Sequence, residues 1–154
     1  MRRTALLLLA AALLAGLAGC GSHRAGGPSF VAKRARTPGA LNPDVTQASI
    51  GRTICISGYS ASIRPPVEYT SALKVRQMAE YGFGGSPHDY EEDHFIPLSL
   101  GGHPTDPRNL WPEVQPRATD VDRDELALHE DVCAGRLSLA EAQARMAKEK
   151  WEHG

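Results

Sequence analysis

The sequence has few aromatic residues, few cysteines and no excess of positive charge. Aromatic side chains make up 6% of its 154 residues, there are three cysteines, and 17 Lys and Arg stand against 18 Asp and Glu. This balance argues against a protein whose main task is to grip nucleic acid, because phosphate contacts with basic residues supply most of that affinity. The chain also has no run of about 20 apolar residues, the length that a helix needs to span a bilayer.

The N-terminus has the features of an export signal. Two arginines are followed by the short apolar stretch 4–17 and then by Leu17-Ala18-Gly19-Cys20. A basic start, a short apolar stretch and small residues before a cleavage site are typical of a secretory signal peptide. The last four residues resemble the lipobox of bacterial lipoproteins, which implies that a signal peptide 1–19 is removed and Cys20 is lipidated. The alternative is an ordinary signal peptide in which Cys20 is incidental.

The resemblance to lipoproteins implies an exported protein whose body lies in water. We expect the lipid on Cys20 to anchor it to the outer face of the cytoplasmic membrane or to the outer membrane. Residues 20–40 are rich in Gly, Ser, Pro and Arg without an apolar period, which predicts the lipid anchor and a flexible tether. Residues 41–154 are long enough for one domain, which we expect to be monomeric. Without 1–19 the chain has 15 Lys and Arg and 18 Asp and Glu, a formal charge of −3.

Two cysteines, Cys55 and Cys133, remain in the predicted domain. An exported protein folds in an oxidising compartment, where an even pair of cysteines favours a disulfide. Buried free thiols and two metal ligands are the alternatives, although no CxxC or CxxH spacing lies nearby. We therefore expect a Cys55–Cys133 disulfide, which on the chain-entropy account would stabilise the fold by roughly 4–5 kcal/mol before strain.

Apolar periodicity and capping residues predict a mainly helical domain. Helices are expected over 67–81, where glycines end the helix, over 118–134, and from the capping box at Ser138 to about residue 151. A short helix over 45–52 and a β-prone run over 53–56 are also predicted. Within 67–81 the buried face is expected to include Ala72, Val75 and Met78.

The stretch 86–116 is dense in His, Asp, Pro and Gly and contains the candidate chemistry. Asp93 and His94 are neighbours, so a strand would point them to opposite faces unless its end bends toward one pocket. A carboxylate suits hard cations such as Mg²⁺, and the near-neutral pKa of histidine suits proton abstraction from water. Gly101-Gly102 permits a tight return of the chain, and Asn109 can orient the His94 ring or brace its loop.

This layout of strand, loop, strand and helix resembles the HNH, or ββα-metal, nuclease motif. The matching residues are Asp93-His94, Gly101-Gly102, Asn109-Leu110-Trp111-Pro112 and the helix after Ala118. The resemblance implies that Asp93 is a metal ligand, that His94 is the general base and that Asn109 positions the base or its loop. It also implies one divalent metal ion, for which Mg, Mn, Ni and Zn are the candidates.

The predicted helix departs from the HNH pattern, because no His or Asn stands in its first turn. Asp122 is the best-placed substitute, and we predict that it completes the metal site with Asp93. Glu125 and His129 follow on the same helix face and are further candidate site residues.

Substrate binding requires positive charge near the motif. Arg108, Arg117 and Arg123 are the arginines that could contact nucleic acid, with DNA expected before RNA. His103 and Glu92 are additional candidate site residues. The neighbouring carboxylates would repel phosphate, which favours weak or nonspecific turnover over site-specific cutting.

Residues 40–151 also resemble a group of small exported bacterial proteins described by an HNH-like motif. The shared segments are Thr53-Ile54-Cys55, Arg64-Pro65-Pro66, Tyr90 to Gly102, Asp106 to Glu113 and Val132 to Gly135. This second resemblance implies little about the substrate.

The sequence thus predicts a metal-dependent nuclease that acts outside the cytoplasm with little sequence specificity. The main alternative is a catalytically degenerate HNH-like lipoprotein that serves as a binding module of the cell envelope, and a third interpretation is a hydrolase of another phosphoester. The expected fold is a small, mainly helical α+β domain. In it a hairpin at about 90–112 and a helix at about 118–134 would form the ββα-metal unit.

Overall fold

The computed structural model describes residues 30–115 and 117–153, and the side chains of 117–120 lie outside this description. The predicted signal peptide, Cys20 and the start of the predicted tether also lie outside it. Within the described residues the elements are α1 Tyr59–Ile63, α2 Val67–Tyr81, β1 Tyr90–His94, β2 Leu110–Val114, α3 Arg117–Cys133 and α4 Leu139–Glu152, with short 3₁₀ turns between them. Helices and a hairpin together form an α+β fold, as the sequence predicts.

The two strands form an antiparallel hairpin whose register sorts the polar side chains into two sets. Asp93 pairs with Trp111, and His94 pairs with Leu110. Because successive side chains of a strand point to opposite faces, His94 lies on one face of the hairpin while Asp93 and Glu113 lie on the other. The two neighbouring residues at the centre of the predicted site therefore point in opposite directions.

Helix α2 has the predicted bounds but a different buried face. It ends at Gly82, which has a φ of 73°, and the amide of Phe83 donates to the carbonyl of Met78 at 2.9 Å. The buried residues are Leu73, Gln77, Met78 and Tyr81, whereas Val75 is 57% exposed and Ala72 is exposed. Apolar periodicity misplaced this face because buried Gln77 is polar, and its amide donates to the carbonyl of Pro107 at 3.0 Å.

Helices α3 and α4 pack against each other and carry much of the core. Helix α4 begins with the predicted capping box: the Ser138 hydroxyl accepts from the amide of Glu141, and the Glu141 carboxylate accepts from the amide of Ser138. The most deeply buried apolar side chains come from the hairpin, its loop and both helices: Phe95, Leu100, Trp111, Val132 and Met146. No helix among the described residues has the length and apolar character needed to cross a membrane.

The segment before α1 differs from its predicted structure. The expected helix over 45–52 is reduced to a 3₁₀ turn at Ile50–Arg52, and 53–56 forms turns in place of a strand. The Thr53 hydroxyl donates to the carbonyl of Ser49 at 2.8 Å, which favours local turns over extended backbone. The β-prone composition was misleading because a strand also needs a neighbouring strand to pair with.

Residues 30–42 pack against the domain, which corrects the predicted extent of the flexible tether. The ring of Phe30 lies 5.2 Å from that of Phe83, and the hydroxyls of Thr37 and Tyr81 are 2.6 Å apart. Leu41 forms an isolated antiparallel bridge with Gly102. Low local apolar content did not reveal these contacts, because each depends on a partner distant in the sequence.

Candidate active site

Asn109 braces the loop that joins the two strands. Its side chain is fully buried and accepts a hydrogen bond from the amide of Ile96 at 2.9 Å. Its amide nitrogen donates to the carbonyls of Ile96 at 2.9 Å and His103 at 3.0 Å. The Asn109 side chain therefore connects both ends of the loop by hydrogen bonds. None of these hydrogen bonds is to the His94 ring.

His94 stands at the end of β1 with its imidazole in a defined orientation. The side chain is only 4% exposed, and Nε2 lies 2.9 Å from the carbonyl oxygen of Pro104. Because a carbonyl oxygen only accepts, Nε2 must carry the proton and Nδ1 is then an acceptor. Burial lowers the pKa of His94 below its usual value, so the neutral form that can accept a proton is favoured.

His94 lines a cleft of about 420 Å³ between the hairpin and α2. Arg64, Lys74 and Glu92 also line this cleft. Both carboxyl oxygens of Glu92 are buried and have no hydrogen-bond partner among the described residues. Glu92, a candidate from the sequence, therefore does border the His94 cleft. Burial and the nearby Asp93 carboxylate raise the pKa of Glu92 to about 8, so this group is largely protonated at neutral pH.

Asp93 faces the opposite side of the hairpin and meets Lys150 of α4. The Lys150 side chain is 1% exposed, that of Asp93 is 23% exposed, and the ammonium donates to the Asp93 carboxylate. The same ammonium donates to the carbonyl of His94 at 2.9 Å and lies 3.7 Å from a carboxylate oxygen of buried Glu113. The predicted metal ligand thus belongs to a buried ionic cluster in this structure.

The Lys150 ammonium and the carboxylates around it stabilise each other's charged forms. Burial raises the pKa of Asp93, but the Lys150 ammonium outweighs it and the pKa lies below its usual value. Burial lowers the pKa of Lys150, but the Asp93 and Glu113 carboxylates outweigh it and the pKa lies above its usual value. Sequence reasoning missed Lys150 and Glu113, because a lysine in a charged helical segment and a glutamate after a Trp-Pro pair both look solvent-exposed.

The helix carboxylates lie on a second, smaller cleft of about 260 Å³. Asp122, Glu125 and His129 line it together with Arg64. Glu125 accepts a hydrogen bond from the Ser99 hydroxyl at 2.5 Å. Burial raises the pKa of Glu125, and the Asp93 and Asp122 carboxylates add to the rise, so these carboxylates repel one another.

Arg64 is the cationic residue that borders both clefts. Its side chain is exposed, and its charge acts on both Glu91 and His94. A guanidinium between the candidate base and the helix carboxylates is suited to bind a phosphate oxygen pair. The segment Arg64-Pro65-Pro66 is part of the second resemblance, but nothing in its local sequence pattern indicates this location.

The predicted substrate arginines lie elsewhere or are engaged. The guanidinium of Arg108 pairs with Asp106, with 2.6 Å between Arg108 Nη2 and a carboxylate oxygen, and borders a different cleft. Arg123 has interactions of its own, and the side chain of Arg117 lies outside the described residues. His103 also serves the loop, since its Nδ1 accepts from the amides of Thr105 and Asp106 at 3.2 and 3.0 Å.

A Cys–His–Cys group, formed by two residues of α3 and one from the turns before α1, could hold a metal ion. Ligand atoms of Cys55, His129 and Cys133 all lie within 4.8 Å of one another. The two sulfurs are joined in a disulfide, and Nε2 of His129 lies 2.9 Å from the carbonyl of Ile54, so only the reduced chain would offer two thiolates. Among the described residues no other three His, Cys, Asp or Glu side chains converge this closely, and Asp93, Asp122 and Glu125 do not.

Comparison with known proteins provides no family assignment. No protein-family model, curated protein or solved structure matches the chain.

Proposed function

We propose that the protein is a metal-dependent nuclease that hydrolyses phosphodiester bonds of nucleic acid with little sequence specificity. DNA is the expected substrate, and RNA is the alternative. The observation that carries the proposal is the state of His94. Its imidazole is oriented by the Pro104 carbonyl, Nδ1 has no hydrogen-bond partner among the described residues, and the ring borders a cleft shared with Arg64. A neutral, oriented imidazole beside a phosphate-binding cation is the arrangement that general-base hydrolysis of a phosphodiester requires.

In this proposal the chain's own residues perform three tasks. Nδ1 of His94 takes a proton from the attacking water, and the Pro104 carbonyl stabilises the resulting imidazolium through Nε2–H. Arg64 binds the oxygens of the scissile phosphate from its position between the two clefts. Asn109 holds the loop that carries the Pro104 carbonyl in place.

The donor groups suit a divalent cation chemically. Asp93 and Asp122 are the proposed ligands, and their hard oxygen donors suit Mg²⁺ or Mn²⁺ better than the softer Zn²⁺ or Ni²⁺. The Asp93 and Asp122 carboxylates both contribute to the raised pKa of Glu125, and a cation bound near them would relieve part of this repulsion. When bound, the metal ion would stabilise negative charge on the phosphate and leaving oxygen. The order of β1, β2 and α3 supports a ββα-metal unit.

The proposal places the activity outside the cytoplasm, because the N-terminal sequence predicts export. A cleaved 1–19 and a lipid on Cys20 would anchor a monomeric domain to the outer face of the cytoplasmic membrane or to the outer membrane. A disulfide between Cys55 and Cys133 is consistent with folding in an oxidising compartment.

A second candidate function is a non-catalytic binding module of the cell envelope. The specific observation in its favour is the Asp93–Lys150 pair, because an ammonium already neutralises the carboxylate that a metal ion would need. Under this alternative the HNH-like hairpin is retained as a scaffold.

A cleavage assay of the purified protein separates the two functions. Plasmid DNA, single-stranded DNA and RNA would be incubated with Mg²⁺, Mn²⁺, Ni²⁺ or Zn²⁺ and, in parallel, with EDTA. We expect metal-dependent cleavage that falls by about 10²-fold or more in His94→Ala, the usual contribution of a general base. His153→Ala, which changes an exposed histidine at the end of α4, should cleave like the parent protein.

Arg64→Gln tests the proposed phosphate contact, and we expect weaker DNA binding with the fold unchanged. Absence of cleavage with every metal, from protein shown to be folded by circular dichroism, would rule out the nuclease and favour the envelope module.

A further inference from the structure

Lys150 lies where three oxygens of the hairpin converge. Its ammonium contacts the Asp93 carboxylate, the carbonyl oxygen of His94 at 2.9 Å and a Glu113 carboxylate oxygen at 3.7 Å. The Glu113 side chain is fully buried and the Lys150 side chain is 1% exposed. Two carboxylates and a backbone carbonyl around one buried positive charge are hard oxygen donors of the kind that also bind Mg²⁺ or Mn²⁺.

The ammonium and a divalent ion cannot both satisfy Asp93 fully. The Lys150 ammonium contacts one carboxylate oxygen of Asp93, and a divalent ion at Asp93 would need the same carboxylate. A divalent ion that bound Asp93 would have to weaken the Asp93–Lys150 pair, and separating a buried pair is costly because it leaves an uncompensated charge. The lysine therefore opposes metal binding at the same carboxylate that it orients.

We propose that Lys150 sets how tightly the chain binds a divalent metal ion at Asp93, by competing with that ion for the carboxylate. The inference rests on the proposed function for the role of Asp93 as a metal ligand, but it is measured by metal binding and not by cleavage. Because Lys150 belongs to α4, the docking of the last helix becomes part of the control of metal binding at the hairpin.

The test compares Mn²⁺ affinity of the full chain and its variants by isothermal titration calorimetry. Lys150→Gln removes the charge but keeps a donor for Asp93 and the His94 carbonyl, and Lys150→Met removes both. Lys148→Gln is the matched control, since it removes the same charge from an exposed position on the same helix. We expect at least about tenfold tighter Mn²⁺ binding in Lys150→Gln and Lys150→Met, and unchanged affinity in Lys148→Gln.

The double variant Asp93→Asn/Lys150→Gln should lose the gain in affinity, because the contested ligand is gone. A melting temperature that rises with Mn²⁺ in Lys150→Gln, at a concentration that leaves the parent unchanged, would be the second readout. If neither single variant folds without metal, Mn²⁺ should restore folding, and failure to fold at any Mn²⁺ concentration would overturn the proposal.

Equal or weaker Mn²⁺ binding by a folded Lys150→Gln would also overturn it, since a purely structural lysine does not compete with metal. Failure of the nuclease proposal is a distinct result: the parent protein would cleave no nucleic acid, while the gain in Mn²⁺ affinity would be present or absent independently.

Discussion

Gly102 shows how the absence of one side chain shapes the loop of the candidate site. A Cβ atom at this position would lie 1.7 Å from the carbonyl oxygen of Ile96 and 2.6 Å from the side-chain nitrogen of Asn109. Both atoms belong to the hydrogen bonds by which Asn109 closes the loop. The second glycine of the Gly-Gly pair is therefore required by close approach of backbone and not by a positive φ.

Gly102→Ala is expected to destabilise the fold by about 3 kcal/mol or more, because the added methyl group must displace the backbone of Ile96. Urea unfolding followed by circular dichroism measures the effect. Gly84→Ala is the matched control, since nothing lies within 4 Å of its built Cβ, and we expect a change of about 1 kcal/mol or less. A stable Gly102→Ala with an intact loop would contradict the close approach.

Glu125 should make stability depend on pH in a defined direction. Its pKa in the folded protein is raised above 4.5, first by burial and then by Asp93 and Asp122, so folding favours the protonated form. The contribution of Glu125 to stability is fully present below its pKa in the unfolded chain. It is lost as the pH rises through the higher pKa that Glu125 has in the folded protein. Glu125→Gln, which removes the charge, should melt at a higher temperature than the parent at pH 7.

The measurement is the melting temperature of both proteins between pH 4 and pH 8. The difference in melting temperature between Glu125→Gln and the parent should shrink as the pH falls toward the pKa of Glu125 in the unfolded chain. Glu152→Gln, an exposed glutamate on α4, should show no such trend. If Glu125→Gln raised the melting temperature most at low pH, the predicted direction of the pH dependence would be wrong.

At the scale of the elements, α4 connects three otherwise separate features. Its first turn is closed by the Ser138 capping box, its middle contributes Met146 to the core, and Lys150 near its end reaches the hairpin. The period of Leu139, Met146 and Lys150 puts all three on the buried side of one helix. One helix therefore carries the capping box, part of the core and the buried charge at the hairpin.

Ser138→Ala is expected to cost about 1 kcal/mol of unfolding free energy, because it removes the hydroxyl that accepts from the Glu141 amide. Ser71→Ala, at an exposed position inside α2, is the control and should be neutral or slightly stabilising, since alanine favours helix interiors. Equal effects of the two substitutions, measured by urea unfolding, would show that the capping box contributes nothing specific.

At the scale of the whole molecule, the disulfide joins the segment before α1 to the end of α3. Cys55 and Cys133 are separated by 78 residues, and the loop that they close contains α1, α2 and the hairpin. The loop therefore contains the candidate site residues of the hairpin and α3, whereas Lys150 of α4 lies outside it. Within the described part of the chain the disulfide is a covalent constraint on every element that contributes a site residue before α4.

Cys55→Ser/Cys133→Ser should lower the free energy of unfolding by about 4–5 kcal/mol, because a loop of this length restricts the unfolded chain strongly. Urea unfolding of the oxidised parent, the reduced parent and the double variant measures the effect. The reduced parent should resemble the double variant, and a loss below about 1 kcal/mol would contradict the entropic contribution.

Local chemistry in the sequence determined the bounds of the main elements. The glycine after Tyr81, the capping box at Ser138 and the pattern that predicts a hairpin followed by a helix each act over a few residues, so they can be recognised without a tertiary structure. The Cys55–Cys133 link was also foreseeable, because two cysteines allow one intramolecular pairing. The role of His94 as general base stays a prediction from a motif, whereas the hydrogen bonds of Asn109 do brace the loop.

The tertiary structure alone decided which groups surround the site. It directed Asp93 toward Lys150 and Glu113 and away from the His94 cleft, brought Arg64 between the two clefts, and engaged Arg108 with Asp106. The pairing of Lys150 with Asp93 spans 57 positions and depends on how α4 docks, which no local pattern encodes. Charged side chains look solvent-exposed in a sequence because burial is a property of the packed chain, and their partners become visible only when the chain has folded.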